Sequence, residues 1–285
     1  MRLKVIKILQ CPKCGSELSI IKIERLLRDR MVEGDLLCPY CKNKFPVVNE
    51  IICFVPRELK KTQNDIEKEK KKIFKRDFDD TWEEGFSKEE LKALKSEWNW
   101  MIERLNIKES KIHLDWATGT GRFLRNITKI GEGEKIALDK GYGDCLGLKE
   151  LLKKLHRYKL VSIICADARK LPFKDNSVDT ISSWHGLDER KMEDAIRESK
   201  RVLKRNGKIA LTGIFYKEKS KSFQRAIKWK INFAKEGFIF RLFKKLGFKN
   251  IEYRVFFEGV WKEKNSYLPV YGDWYAVYGI YGEKE

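Results

Sequence analysis

The sequence predicts an α/β fold: a doubly wound, mostly parallel sheet, preceded by a small ribbon stapled by metal. Three observations predict it. His113-Leu-Asp-Trp-Ala-Thr-Gly-Thr-Gly-Arg122 runs an apolar strand into a glycine turn that opens a helix. Three successive apolar runs end in a carboxylate, at Asp115, Asp139 and Asp167. Sheets of this kind bind ligands in the crevice beyond the carboxyl ends of their strands. Ahead of them, Cys11-Pro-Lys-Cys14 and Cys38-Pro-Tyr-Cys41 form a pair of C-x-x-C knuckles. Two such turns present four thiolates to one tetrahedral ion.

The elements follow in order. Residues 1–56 are the ribbon, too short to hold a core without the metal's help. Four Cys ligands leave no open coordination position, so zinc at Cys11, Cys14, Cys38 and Cys41 is structural. Residues 57–110 are a charged linker and a helix. The run 57–80, with Lys68-Glu-Lys-Lys-Lys72, reads as solvated linker or exposed helix. Ser87 and Glu90 make a capping box, and Leu91, Leu94, Trp98, Met101, Ile102 and Leu105 share one face. Trp100 falls off that stripe and packs under the linker or touches a ligand.

Residues 111–285 are the α/β domain. Strands are predicted at 111–116, 134–139, 160–165, 178–183 and 207–214, with helices at 121–130, 146–156 and 190–205. Residues 216–246 read as one or two basic helices. Asn250–Phe257 and Trp274–Tyr281 read as an antiparallel hairpin at the sheet edge. Cys53, Cys145 and Cys165 read as small core hydrophobes, although Cys145 stands near a glycine-rich turn.

Composition narrows the function classes. The 285 residues contain no apolar run long enough for a transmembrane helix. No signal-peptide core opens the chain, and seven cysteines at knuckle spacing do not suggest a disulfide framework, so a cytoplasmic protein is expected. The formal charge is +19, with the excess heaviest after residue 186. That suits an anionic partner such as RNA, or simply a chain rich in both Lys and Glu.

At these motifs the sequence resembles the class I S-adenosylmethionine (SAM)-dependent methyltransferases, whose domain is Rossmann-like. Asp115-Trp-Ala-Thr-Gly-Thr-Gly121 resembles their first motif, and Asp139 the acid ending their second strand. Ala166-Asp-Ala-Arg-Lys-Leu-Pro-Phe-Lys-Asp-Asn-Ser-Val-Asp179 resembles the adenine-binding strand end and the loop after it. The resemblance implies SAM as cofactor, held by Asp115, Ala117, Thr118, Gly119, Gly121, Asp139, Lys140, Asp167, Ala168 and Trp184. Asp115 would lie near the methionine ammonium, Asp139 would accept from the ribose hydroxyls, and Asp167 from the adenine amino group. Leu124 replaces the third glycine of a dinucleotide fingerprint, which argues against NAD. The fourth strand end, Ser182-Ser-Trp-His-Gly186, faces the reacting methyl in that family. There His185 is the candidate base, or only a wall of the pocket.

The first 56 residues resemble the small zinc-ribbon protein that activates tRNA, rRNA and protein methyltransferases. Ile8-Leu-Gln-Cys-Pro-Lys-Cys14 and Phe45-Pro-Val-Val-Asn-Glu-Ile-Ile-Cys-Phe-Val-Pro56 carry that likeness. The expected activity is therefore SAM-dependent methylation, with RNA as the leading acceptor and a small molecule as the alternative. A non-catalytic regulator docking a protein partner through the ribbon is the reading from another class. No membrane partner is expected.

Overall fold

A computed structural model describes residues 1–61, 64, 65, 67, 68, 86–264 and 266–285. Most of the charged run 57–80 expected as a linker therefore lies outside the described residues. The ribbon opens with a short helix, α1 (Leu3–Ile6), followed by β1 (Ser19–Leu27), β2 (Arg30–Leu37), β3 (Lys44–Val48) and β4 (Ile51–Cys53). The capped helix is α2 (Lys88–Leu105). Its box forms as expected: Glu90 N donates to Ser87 Oγ at 3.2 Å, and Ser87 N to Glu90 Oε2 at 2.7 Å. A cap of this kind contributes about 1 kcal/mol.

The α/β part alternates β5 (Ile112–Trp116), α3 (Arg122–Ile127), β6 (Glu134–Asp139), α4 (Tyr142–Lys154), β7 (Val161–Cys165), β8 (Val178–Ser183), α5 (Met192–Val202) and β9 (Leu203–Tyr216). Two short basic helices follow, α6 (Lys221–Lys228) and α7 (Phe238–Lys245). The chain ends in β10 (Phe248–Val260) and β11 (Trp274–Lys284), which pair antiparallel as the sequence predicts.

All these strands join one sheet, in the order β1-β2-β3-β4-β7-β6-β5-β8-β9-β11-β10. Its middle, β4 through β9, is parallel, and both flanks are antiparallel. The ribbon thus extends the central sheet directly through β4 on β7. Sequence pattern gave no sign of this junction, because β4 is only three residues long. Further bonds seal it: the Arg30 guanidinium donates to the carbonyls of Tyr158, Lys159 and Val161, and Arg2 pairs with the buried Glu134.

The helix α2 packs on β8–β11 rather than standing apart. Leu94, Trp100, Met101 and Leu105 are buried, and so is Glu97. Trp100, read as off the apolar stripe, meets Phe256 edge-on and lies against Gly279 of the terminal hairpin. Cys53, Cys145 and Cys165 are buried, as expected of core residues. Among the described residues no helix is long and apolar enough to cross a membrane.

Candidate functional site

The four knuckle cysteines converge. Their sulfurs all lie within 4.8 Å of one another, with Cys11–Cys41 at 3.5 Å and Cys14–Cys38 at 3.4 Å. Four sulfurs held at 2.3 Å from a tetrahedral ion stand about 3.8 Å apart, so the cluster has the size of a zinc site. Amide donors face the sulfurs: Asn43 Nδ2 reaches Cys41 Sγ at 2.9 Å, and the Cys41 amide reaches Cys38 Sγ. Such donors suit thiolates.

The glycine turn after β5 is tied to β6. Gly119 N donates to Asp139 Oδ2 at 2.9 Å, and Gly141 N to Asp139 Oδ1 at 3.2 Å. Thr118 Oγ1 donates to the Asp115 carbonyl and accepts from Leu138 N. Gly121 has φ +72°, a backbone conformation that favours glycine, and a Cβ there would come within 2.5 Å of a Leu148 methyl, which would have to shift. Ala117 holds a left-handed φ of 52° with a methyl group, a conformation that costs an L-residue roughly 1–2 kcal/mol.

Above this turn lies a cavity of about 220 Å³, lined in part by Ala117, Asp139, Lys140, Asp167, Ala168 and His185. The structure thus brings six of the expected cofactor and catalytic residues to one place. Burial raises the pKa of Asp139, against the opposing hydrogen bonds of Gly119 and Gly141. Asp167 is already engaged. Arg169 grips it through Nη2 at 2.6 Å and Nε at 2.8 Å, and overcomes burial to hold its pKa below the ordinary range. An adenine amino group would share this carboxylate with Arg169.

Thr118, Gly119 and Gly121 shape the turn without lining this cavity, and two more expected cofactor residues lie away from it. Asp115 is 2% exposed and withdrawn beneath the turn, where Ser182 Oγ donates to its Oδ1 at 2.5 Å. Burial pushes its pKa up to about 7. His113 completes this buried chain, with Nε2 3.0 Å from Ser182 Oγ and Nδ1 2.9 Å from Thr180 Oγ1. Trp184 does not line the first cavity but a second, of about 190 Å³.

The second cavity is apolar and aromatic. Phe86 and Leu94 wall it from the α2 side, Trp184 from the end of β8, and Ile214, Phe256 and Tyr275 from the antiparallel flank. His185 lines both cavities. It has φ +56°, and its amide is anchored to Thr212 Oγ1 at 3.1 Å. Its Nε2 lies 3.3 Å from Glu97 Oε1. Burial opposes its charge, but Glu97 and then Asp188 outweigh burial and raise its pKa.

Sequence reading missed Glu97 and Asp188. A polar residue inside the Leu94-to-Met101 face was the available signal for Glu97. Asp188 and Glu189 lie in the loop after β8, which also lines the first cavity. There Glu189 pairs with Lys140.

Residues 114–211 match a family model described as a methyltransferase domain. A methyltransferase-like protein of Schizosaccharomyces pombe is 32% identical over 113 residues, covering 40% of this chain and 42% of that protein. A ubiquinone/menaquinone biosynthesis C-methyltransferase of Azotobacter vinelandii is 31% identical, covering 38% and 44%. The chain thus spans less than half the length of these relatives. Among solved structures, a putative methyltransferase from Bacillus halodurans superposes with a TM-score of 0.53 at 14% identity, over 66% of this chain and 99% of that one. The geranyl diphosphate C-methyltransferase of Streptomyces coelicolor superposes with a TM-score of 0.52 at 11% identity, over 67% and 79%. Residues 114–211 are thus similar to a methyltransferase domain, and the fold is the Rossmann-like α/β fold of methyltransferases.

Proposed function

We propose that this domain transfers the methyl group of SAM to a small molecule held in the aromatic cavity. One observation carries the reading: a polar crevice and an apolar pocket meet at a single residue, His185. The crevice offers carboxylates to the hydroxyl, amino and ammonium donors of SAM. Asp139 would take the ribose hydroxyls, while Asp167 and Ala168 would meet the adenine. The sulfonium is itself a good leaving group. Holding an acceptor in line with its methyl, away from water, supplies most of the acceleration. Zinc in the ribbon would hold Cys11, Cys14, Cys38 and Cys41 together and take no part in the transfer.

Titration calorimetry with SAM and S-adenosylhomocysteine tests the cofactor. Absence of binding by either would favour the regulator reading instead. Comparing metabolites of a deletion strain with those of the parent, before and after incubation with the protein and SAM, tests the acceptor.

RNA as acceptor keeps one observation in its favour. An open basin of about 560 Å³ beside the crevice presents Arg57, Lys140, Arg169, Lys228 and Lys230, with the exposed indole of Trp229, alongside Asp188 and Glu189. Arg225, on the first of the basic helices, donates to the Tyr267 carbonyl and covers its ring. If RNA binds in the basin, replacing Lys228 and Lys230 by Ala should flatten the salt dependence by about one unit per lost phosphate contact. Salt-independent RNA association would remove this reading.

A further inference from the structure

The aromatic pocket holds a set of polar atoms that its apolar walls do not explain. His185 Nδ1, Trp184 Nε1 and Trp261 Nε1 are buried with no hydrogen-bond partner among the described residues, while Glu97 Oε1 meets only His185 Nε2 at 3.3 Å, and all four residues line this pocket. Leaving a buried polar group unsatisfied is costly, and a buried carboxylate more so. Three such atoms around one cavity mark a place where a ligand completes the bonding. The two indoles offer N–H donors to a ligand, whereas Glu97 is turned to His185 Nε2. His185 offers a lone pair at Nδ1 when its Nε2 proton faces Glu97. The surrounding Phe86, Leu94, Ile214 and Phe256 surfaces take a flat apolar body.

We propose, resting on the methyltransferase reading above, that the acceptor is a flat apolar ring carrying a weakly acidic hydroxyl, that His185 takes the hydroxyl proton at Nδ1, and that Glu97 positions the imidazole through Nε2. In the step the O–H bond breaks and its proton moves to His185 Nδ1. The oxygen forms a bond to the methyl carbon of SAM as the carbon–sulfur bond breaks. Both electrons of that bond stay on sulfur, and S-adenosylhomocysteine leaves. The imidazolium is stabilised by Glu97 on one side, and it later releases its proton to water. This is the arrangement of a base oriented by a carboxylate through its far nitrogen.

The groups facing His185 support the assignment. Glu97 and Glu90 line the pocket from α2, Tyr275 from β11, and Asp188 comes from the loop after β8. Tyr275 directs its hydroxyl at Glu90, 3.4 Å away, which leaves Glu97 to His185. His185 is raised in pKa by its acids, so it is a stronger base than a free imidazole.

The test uses 2-naphthol and its methyl ether as probes, on the full chain saturated with S-adenosylhomocysteine. Naphthol should bind at least tenfold more tightly than the ether. Bound naphthol should show the naphtholate absorption band at a lower pH than free naphthol. In Glu97→Gln that band should retreat to higher pH, with S-adenosylhomocysteine affinity unchanged. His185→Gln should lose the band altogether. Equal binding of alcohol and ether, or a band that ignores Glu97→Gln, overturns this inference while leaving the methyltransferase reading intact. Failure to bind S-adenosylhomocysteine overturns both.

Discussion

Cys53 stands opposite Cys165 on the last rung of a parallel strand pair, and the Phe54 amide extends it with a 2.8 Å bond to the Cys165 carbonyl. Two residues further along, β7 has delivered Asp167 to the crevice. The four-cysteine ribbon is therefore an edge of the same sheet that carries Asp139 and Asp167.

Zinc removal should accordingly be felt in the crevice. One zinc per chain is expected by elemental analysis, and Cys38→Ser should lose it. Chelation should lower the melting temperature and weaken S-adenosylhomocysteine binding as well, because loss of β4 exposes one side of β7. Each kcal/mol lost moves the midpoint by about 2–4 °C in a chain of this size. Unaltered cofactor affinity in chelated protein would show that the ribbon folds apart from the sheet.

Asp139→Ala should weaken SAM binding by roughly 1–3 kcal/mol in calorimetry, since ribose donors would be left unpaired. It should also loosen the turn, because Gly119 and Gly141 lose their acceptor. Asp139→Asn retains one oxygen and should fall between the two. An unchanged affinity in the alanine variant would remove Asp139 from the cofactor site.

Asp115 gives a pH signature of opposite sign to most carboxylates. Its folded pKa, about 7, lies above the 3.8 of an ordinary aspartate. The folded state therefore holds a proton that the unfolded chain releases, and stability falls as pH rises from about 4 to about 7. Above that window the loss is complete. Asp115→Asn keeps an acceptor for Ser182 and should be more stable than the parent at pH 8, by a few °C, with the gap closing near pH 4. Parallel melting curves for the two proteins across that range would contradict the assignment.

The chain has only three histidines, at 113, 156 and 185, so imidazole NMR can follow each. His185 should titrate above the ordinary histidine value and move down in Glu97→Gln. Burial depresses His113 to about 3, so its resonances should hold still through neutral pH. A His185 pKa unaffected by Glu97→Gln would separate the two residues.

Much of this was legible in the chain itself. The four knuckle cysteines, the glycine turn, and the acids at 139 and 167 are local signals. Spacing alone puts two thiolates on one turn, and an apolar run that meets glycine ends at a sheet edge. The alternation of strand and helix from 111, and the edge hairpin near the end, followed from periodicity in the same way. The tertiary structure decided what no local pattern encodes. Three residues of β4 choose β7 as their neighbour because a parallel partner is set by distant chain, and so the ribbon joins the sheet. Asp115 withdraws beneath its own turn because Ser182, 67 residues away, supplies the hydrogen bond that lets a carboxylate be buried. Glu97 meets His185 across 88 positions of sequence, and neither residue type announces the other. Only packing α2 on the sheet brings them within 3.3 Å, where a buried acid and an imidazole offset each other's cost.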